Sequence, residues 1–151
     1  MNAIYFYRIA NFFYRKNIPI IPGIIKAIIF VLFNSVIPYS AKIGVGSRFA
    51  YGAIGVVVHS QAVIGRKVII GQGVTIGRQL DPDGVPRIGD NVYISAGAKV
   101  LGDVSIGNNV IIGANAVVIK DVPENSIVAG IPARLIRRVD DDIYVLLRNI
   151  Y

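Results

Sequence analysis

Residues 88–118 read IGDNVYISAGAKVLGDVSIGNNVIIGANAVV, and an aliphatic side chain returns at every sixth position: Ile88, Ile94, Val100, Ile106, Ile112 and Val118. An α-helix repeats at about 3.6 residues and a strand at about 2, so neither accounts for this period. A hexapeptide period marks a parallel β-helix, in which each six-residue unit forms one flat side of a coil and three units close a triangle. The fifth position of each unit is small or β-branched: Val92, Ala98, Val104, Val110, Ala116 and Val122. A large and a smaller apolar residue thus alternate toward a narrow interior. Gly, Asn and Asp crowd positions two to four, where the chain must turn a corner and positive φ is expected.

Working outward, Val58, Ile64, Ile70 and Ile76 keep the same period. Residues 78–87 (RQLDPDGVPR) do not fit it; they are polar and carry two Pro and one Gly, which predicts a loop extruded from a coil. Ile43 and Phe49 share the spacing in another register, so residues 50–57 must absorb a shift. Short strands of an all-β sandwich or barrel do not hold a strict period of six. The predicted fold is therefore all-β, a parallel β-helix whose stacked coils bury one another's aliphatic faces.

The 151 residues suffice for one domain with a real core, and mean hydropathy is high at +0.58. The absence of cysteine removes disulfides, thiolate metal sites and a cysteine nucleophile. A single histidine excludes a multi-histidine metal centre supplied by one subunit, so no metal is expected. Net charge is +7, which calls for an anionic partner such as an acidic membrane face or a phosphate-bearing cofactor. The basic residues are scattered, with no groove-reading helix or aromatic platform, so nucleic acid is not expected.

Residues 2–16 (NAIYFYRIANFFYRK) read as an amphipathic, aromatic-rich helix bearing Arg8, Arg15 and Lys16. The prolines and glycine in Ile18–Gly23 are expected to break it. Residues 24–37 then form a second apolar segment ended by Pro38, too short for the roughly 20 residues of a membrane span. This region reads as a cap on the coil stack, as an interfacial anchor with its apolar face in lipid, or as both. The division predicted is a helical, hydrophobic segment over 1–39, the β-helix over 40–138 with its loop at 78–87, and a C-terminal tail over 139–151.

From Ala41 to Arg138 the chain resembles hexapeptide-repeat acyltransferases with a left-handed parallel β-helix, in particular the serine-acetyltransferase-like O-acetyltransferases of surface-polysaccharide enzymes. The residues that carry the resemblance are the hexapeptides, Gly55–Gly65 (GVVVHSQAVIG), Val74–Gly77 (VTIG), Lys120–Pro123 (KDVP) and Ala129–Arg134 (AGIPAR). It implies acetyl-CoA as co-substrate, a homotrimer with active sites between adjacent subunits, and a cytoplasmic protein that could sit peripherally on the inner membrane face. Ala96 and Ala114 match positions where the pantetheine arm lies close to the backbone. Ile119, Lys120, Arg134 and Arg137 match positions at the nucleotide end, where cations suit a 3′-phosphate and a pyrophosphate.

Acetyl transfer to an alcohol needs a base for the hydroxyl proton, and His59 is the one imidazole available. Without cysteine, direct attack of the acceptor on the thioester is the simplest route. Asp81 or Asp83 in the loop is a candidate to orient His59. Serine acetyltransferases carry one histidine where this chain has Gly52 and another where it has Val85. That departure favours another alcohol, so the expected activity is O-acetylation of a sugar hydroxyl in surface-polysaccharide synthesis. The alternatives are serine O-acetyltransferase in cysteine biosynthesis and a non-catalytic β-helix scaffold.

Overall fold

The computed structural model describes residues 1–81 and 83–149; residue 82 of the expected loop and residues 150–151 of the expected tail lie outside the described residues. Two helices, α1 (Ala3–Arg15) and α2 (Ile20–Phe33), precede the coils. Strands β1 (Lys42–Ile43), β2 (Arg48–Phe49) and β3 (Val57–Val58) make the first coil. β4 (Val63–Ile64), β5 (Ile69–Ile70) and β6 (Thr75–Gly77) make the second, and β7 (Arg87–Ile88), β8 (Val92–Ile94) and β9 (Lys99–Leu101) the third. β10 (Ser105–Ile106), β11 (Val110–Ile112) and β12 (Val117–Val118) complete the fourth. β13 (Ser126–Ala129), β14 (Arg134–Arg138) and a short α3 (Ile143–Leu146) close the chain.

Each of β1 to β9 pairs in parallel with the strand three further on, and β11 with β13, giving three sheets that form the sides of a prism. Side one is β1-β4-β7-β10, side two is β2-β5-β8-β11-β13-β14, and side three is β3-β6-β9-β12. The coil is left-handed, an exception to the right-handed crossover preference of parallel strands. Among the described residues only the final pairing, β13 with β14, is antiparallel, and it ends the stack.

The register explains where the sequence period holds and fails. Val110 pairs with Val92 and Val117 with Lys99, a clean eighteen-residue coil. Arg48 pairs with Ile69, three residues more, because a turn at Ala50–Ala53 is inserted between β2 and β3. Ile69 pairs with Tyr93, six more, because the loop leaves the stack between β6 and β7. Inside the prism both apolar positions of the hexapeptide are buried: Ile64, Ile70, Ile76, Ile88, Ile94, Ile106 and Ile112 with their smaller partners Ala62, Val68, Val74, Val92, Ala98 and Val110.

The corner residues divide their tasks more finely than the composition suggested. Positive φ falls on the fourth position of the unit, at Lys67, Asn91, Gly97, Asn109 and Asn115. The second position is glycine for lack of space: a Cβ on Gly65 would lie 2.4 Å from the Gly89 carbonyl oxygen of the next coil. At the same corner the Asp90 carboxylate accepts from the Arg66 backbone N–H at 2.7 Å and from its guanidinium at 2.8 and 3.1 Å. These bonds, the backbone one foremost, hold the Asp90 carboxyl below the usual carboxylate range. A lowered folded-state value gives stability that is present above the unfolded value of about 3.9 and is lost as pH falls through the folded one. The expected result is that Asp90→Asn lowers the urea midpoint at neutral pH and that the difference from wild type shrinks as pH falls below the ordinary carboxylate range.

The helices close the open N-terminal end of the prism. α1 buries Ala3, Ile4, Tyr7 and Ala10 on one face. Its polar side chains meet backbone groups that the first coil leaves unpaired. The Tyr7 hydroxyl donates to the Ala41 carbonyl at 2.5 Å and accepts from the Ile43 N–H at 3.2 Å; Asn2 and Asn11 donate to the carbonyls of Phe49 and Tyr39 at 2.7 Å. Burial pushes the Tyr7 phenol above its usual range.

The expected break at Ile18–Gly23 is shorter than the sequence suggested. α2 starts at Ile20 and holds Pro22 and Gly23 in its first turn, where backbone N–H groups have no helical acceptor and proline costs little. It ends at Asn34 in the left-handed region, before the expected stop at Pro38. At the other end, residues 139–149 fold back over the outside of side two. Val139, Ile143 and Leu147 pack on Ile69 and Tyr93, and the Asn109 side chain ties the start of α3 through the Ile143 N–H at 2.8 Å.

Candidate functional site

Three corners run the length of the prism, and the expected site residues fall on two of them. The corner between sides three and one carries His59 after β3, the loop after β6, and Ile119-Lys120 after β12. The corner between sides two and three carries the Ala50–Ala53 turn after β2, Ala96 after β8 and Ala114 after β11. Ala96 and Ala114 stack in adjacent coils, joined where the Asn115 N–H donates to the Ala96 carbonyl at 2.9 Å.

Lys120 and Arg134 meet at the C-terminal end. The segment after β13 turns back over β12, with the Val117 N–H donating to the Gly130 carbonyl and the Ala133 N–H to the Val117 carbonyl. This closes a cleft of about 160 Å³ lined by Ile119, Lys120, Pro132, Ala133, Arg134 and Leu135, among others. Lys120 and Arg134 are exposed, so both ammonium and guanidinium face water. Asp121, also in the lining, accepts from the Ser105 backbone N–H at 2.8 Å and so serves the corner. Arg137 does not line this cleft; it lies further along β14 opposite Ile127.

His59 sits half-buried at the start of its corner, its backbone N–H donating to the Ile76 carbonyl. Its Nδ1 accepts from the Gln61 backbone N–H at 3.2 Å. In the neutral ring the proton therefore resides on Nε2, the nitrogen left for other partners. Among the described residues, no hydrogen bond joins the imidazole to the Asp81 or Asp83 carboxylate. Asp83 pairs with the Arg78 guanidinium, and Asp81 accepts the Gln79 amide through its backbone carbonyl. The Asp83 pairing turns that carboxylate onto the loop's own Arg78. Gln61 and Val63, just beyond His59, line a groove with Asp83, Gly84, Val85, Arg87 and Asp103. Sequence reasoning missed Gln61; no feature of its spacing marks a backbone N–H as the imidazole's partner.

The two positions where histidines were absent are also placed. Val85 lies in the loop groove. Gly52 has φ +79, and a Cβ there would lie 3.2 Å from the Met1 carbonyl oxygen and 3.3 Å from the Phe33 ring. The N-terminal cap thus crowds a Cβ at this position, and the positive φ strains any side chain there. Among the described residues, no three His, Cys, Asp or Glu side chains cluster as metal ligands.

The family described as bacterial transferase hexapeptide (six repeats) matches residues 86–120. The chain is 39% identical over 138 residues to a serine acetyltransferase of Synechococcus elongatus, covering 90% of this chain and 56% of that protein. It is 36% identical over 143 residues to that of Escherichia coli, covering 93% and 52%. It thus spans about half the length of the curated relatives it matches. Among solved structures, a serine acetyltransferase in complex with cysteine superposes with a TM-score of 0.87 at 37% identity, covering 99% of this chain and 58% of that one. A serine acetyltransferase from Brucella abortus in complex with coenzyme A gives 0.85 at 35% identity, covering 91% and 55%. These relatives overturn the expected sugar acceptor and polysaccharide role, because likeness over nine-tenths of this chain is to enzymes named for serine.

Proposed function

The chain belongs to the hexapeptide-repeat acyltransferases with a left-handed β-helix, and from that membership we propose that it transfers an acetyl group from acetyl-CoA to the hydroxyl of serine. The observation that carries this reading is the joint likeness, in sequence and in coil geometry, to serine acetyltransferases along nearly the whole chain. Its test is serine-dependent release of CoA thiol from acetyl-CoA.

In this reading Lys120 and Arg134 hold the phosphates of acetyl-CoA in the cleft they share, while Arg137 on the exposed strand adds long-range attraction. Ala96 and Ala114, on the other edge, leave the backbone open to a pantetheine arm. The two groups occupy different corners of one prism. A homotrimer brings the corner of one copy against a different corner of the next, which supports an active site shared between subunits. In this reading the reaction is cytoplasmic.

His59 is the proton acceptor in this proposal. The serine oxygen attacks the thioester carbonyl carbon, the new C–O bond forms, and the C–S bond breaks. The hydroxyl proton passes to His59 and from there to the departing sulfur. To accept it at Nε2 the ring must shift its proton to Nδ1 and release the Gln61 N–H. Water can replace that exposed bond, so the cost is on the order of 1 kcal/mol.

A charge-assisted phosphate contact contributes roughly 1.5–3 kcal/mol. Lys120→Ala and Arg134→Ala are each expected to raise KM for acetyl-CoA about 10-fold or more, with kcat little changed. Steady-state kinetics with acetyl-CoA and its 3′-dephospho form check this. An unchanged KM in both variants would remove the cleft from the nucleotide site.

A further inference from the structure

We propose that the outer face of the α1–α2 hairpin docks on an anionic lipid bilayer. α2 has only one charged side chain, Lys26, yet buries only Pro22, Ile29 and Phe33. On the opposite side Ile20, Ile24, Ile28 and Val31 form a stripe at i, i+4, i+8 and i+11, and Val31 is 78% exposed. α1 repeats the arrangement: Tyr5, Ile9 and Phe12 lie outward, opposite the face it buries on the coils.

Charge selects the occupant. No acidic residue precedes Asp81, whereas nine Lys and Arg lie in residues 1–80; all nine acidic residues follow. Arg15 and Lys16, both exposed, stand where α1 ends beside the apolar stripes. A second copy of this face would bring its own cations with no carboxylate to meet them, whereas an anionic head-group layer supplies the opposite charge. An amphipathic helix with flanking Lys and Arg is the form that lies in the interface plane. Crossing is excluded for this element: fourteen residues of helix span about 21 Å against a hydrocarbon core of about 30 Å. No helix among the described residues is long and apolar enough to cross a membrane.

The experiment is co-sedimentation of the full chain with vesicles of phosphatidylglycerol and phosphatidylcholine in equal parts, beside vesicles of phosphatidylcholine alone. The expected result is binding to the anionic vesicles that weakens with salt. Arg15→Gln and Lys16→Gln should each lower partition about fivefold, the loss of roughly 1 kcal/mol per basic residue at such a surface. Ile24→Glu with Val31→Glu should lower it at least about tenfold. Both side chains are exposed, so thermal midpoints should stay unchanged. Ile136→Glu, an exposed apolar site on β14, is the control and should bind as wild type. Absence of binding to anionic vesicles overturns the proposal. So does unchanged vesicle binding by the double variant together with a smaller sedimenting species, which would assign the face to a second copy.

Discussion

His59→Ala lowers the turnover number for serine-dependent CoA release by roughly 10²–10⁴-fold, the range expected when a positioned proton acceptor is removed. KM for acetyl-CoA should change little, because His59 does not line the cleft that holds Lys120 and Arg134. The split between the two constants is the informative part. A fold defect would lower the amount of active enzyme and leave KM as it was, so the variant's urea midpoint must be measured alongside and should match wild type. The imidazole is half-buried at a corner and its ring bond to the Gln61 N–H is replaceable by water, so no large stability loss is expected. A variant with turnover within a factor of three of wild type would take His59 out of the chemistry.

Ile94→Ala lowers stability by about 2–5 kcal/mol, read as a lower urea midpoint with unchanged slope. Ile94 is fully buried on side two, stacked between Ile70 of the second coil and Ile112 of the fourth. Removing its side chain opens a cavity bounded by strands of only two or three residues, whose register is fixed by hydrogen bonds to both neighbouring coils. The coils cannot close on the gap without breaking that register, so the loss belongs toward the upper part of the range. Ile136→Ala, on the exposed strand β14, should stay within about 0.5 kcal/mol of wild type.

The prism was legible because a coil imposes its geometry on every sixth residue. Ile88 to Val118 declared the sides, and the irregular residues 78–87 declared the extrusion between β6 and β7. The packing of the tail was not read, although a signal existed. Beyond Arg48, the outward residues of side two are Ile69, Tyr93, Ile111 and Ile127, whereas those of side one are Lys42, Val63, Arg87 and Ser105. An apolar outer face on one side alone requires a cover, which residues 139–149 supply. The start of α2 departs from the expectation that Pro22 and Gly23 break the helix because the first turn tolerates both.

The site was legible in part. Lys120 and Arg134 share a cleft, yet the turn-back of residues 130–133 that brings them together depends on hydrogen bonds to Val117, which no local pattern encodes. The acceptor was misjudged from Gly52 and Val85. Missing imidazoles argued against serine, but Gly52 is also held small by Met1 and Phe33 packed against it. A residue type set by packing is weak evidence about the substrate.

Acetyl transfer to serine is tested most directly by following CoA thiol release from acetyl-CoA with the purified full chain, with and without serine. The account predicts thiol release that requires serine, saturates with it, and yields O-acetylserine in equal amount. No serine-dependent thiol, together with no heat of acetyl-CoA binding by calorimetry, would contradict it and leave the coil as a scaffold.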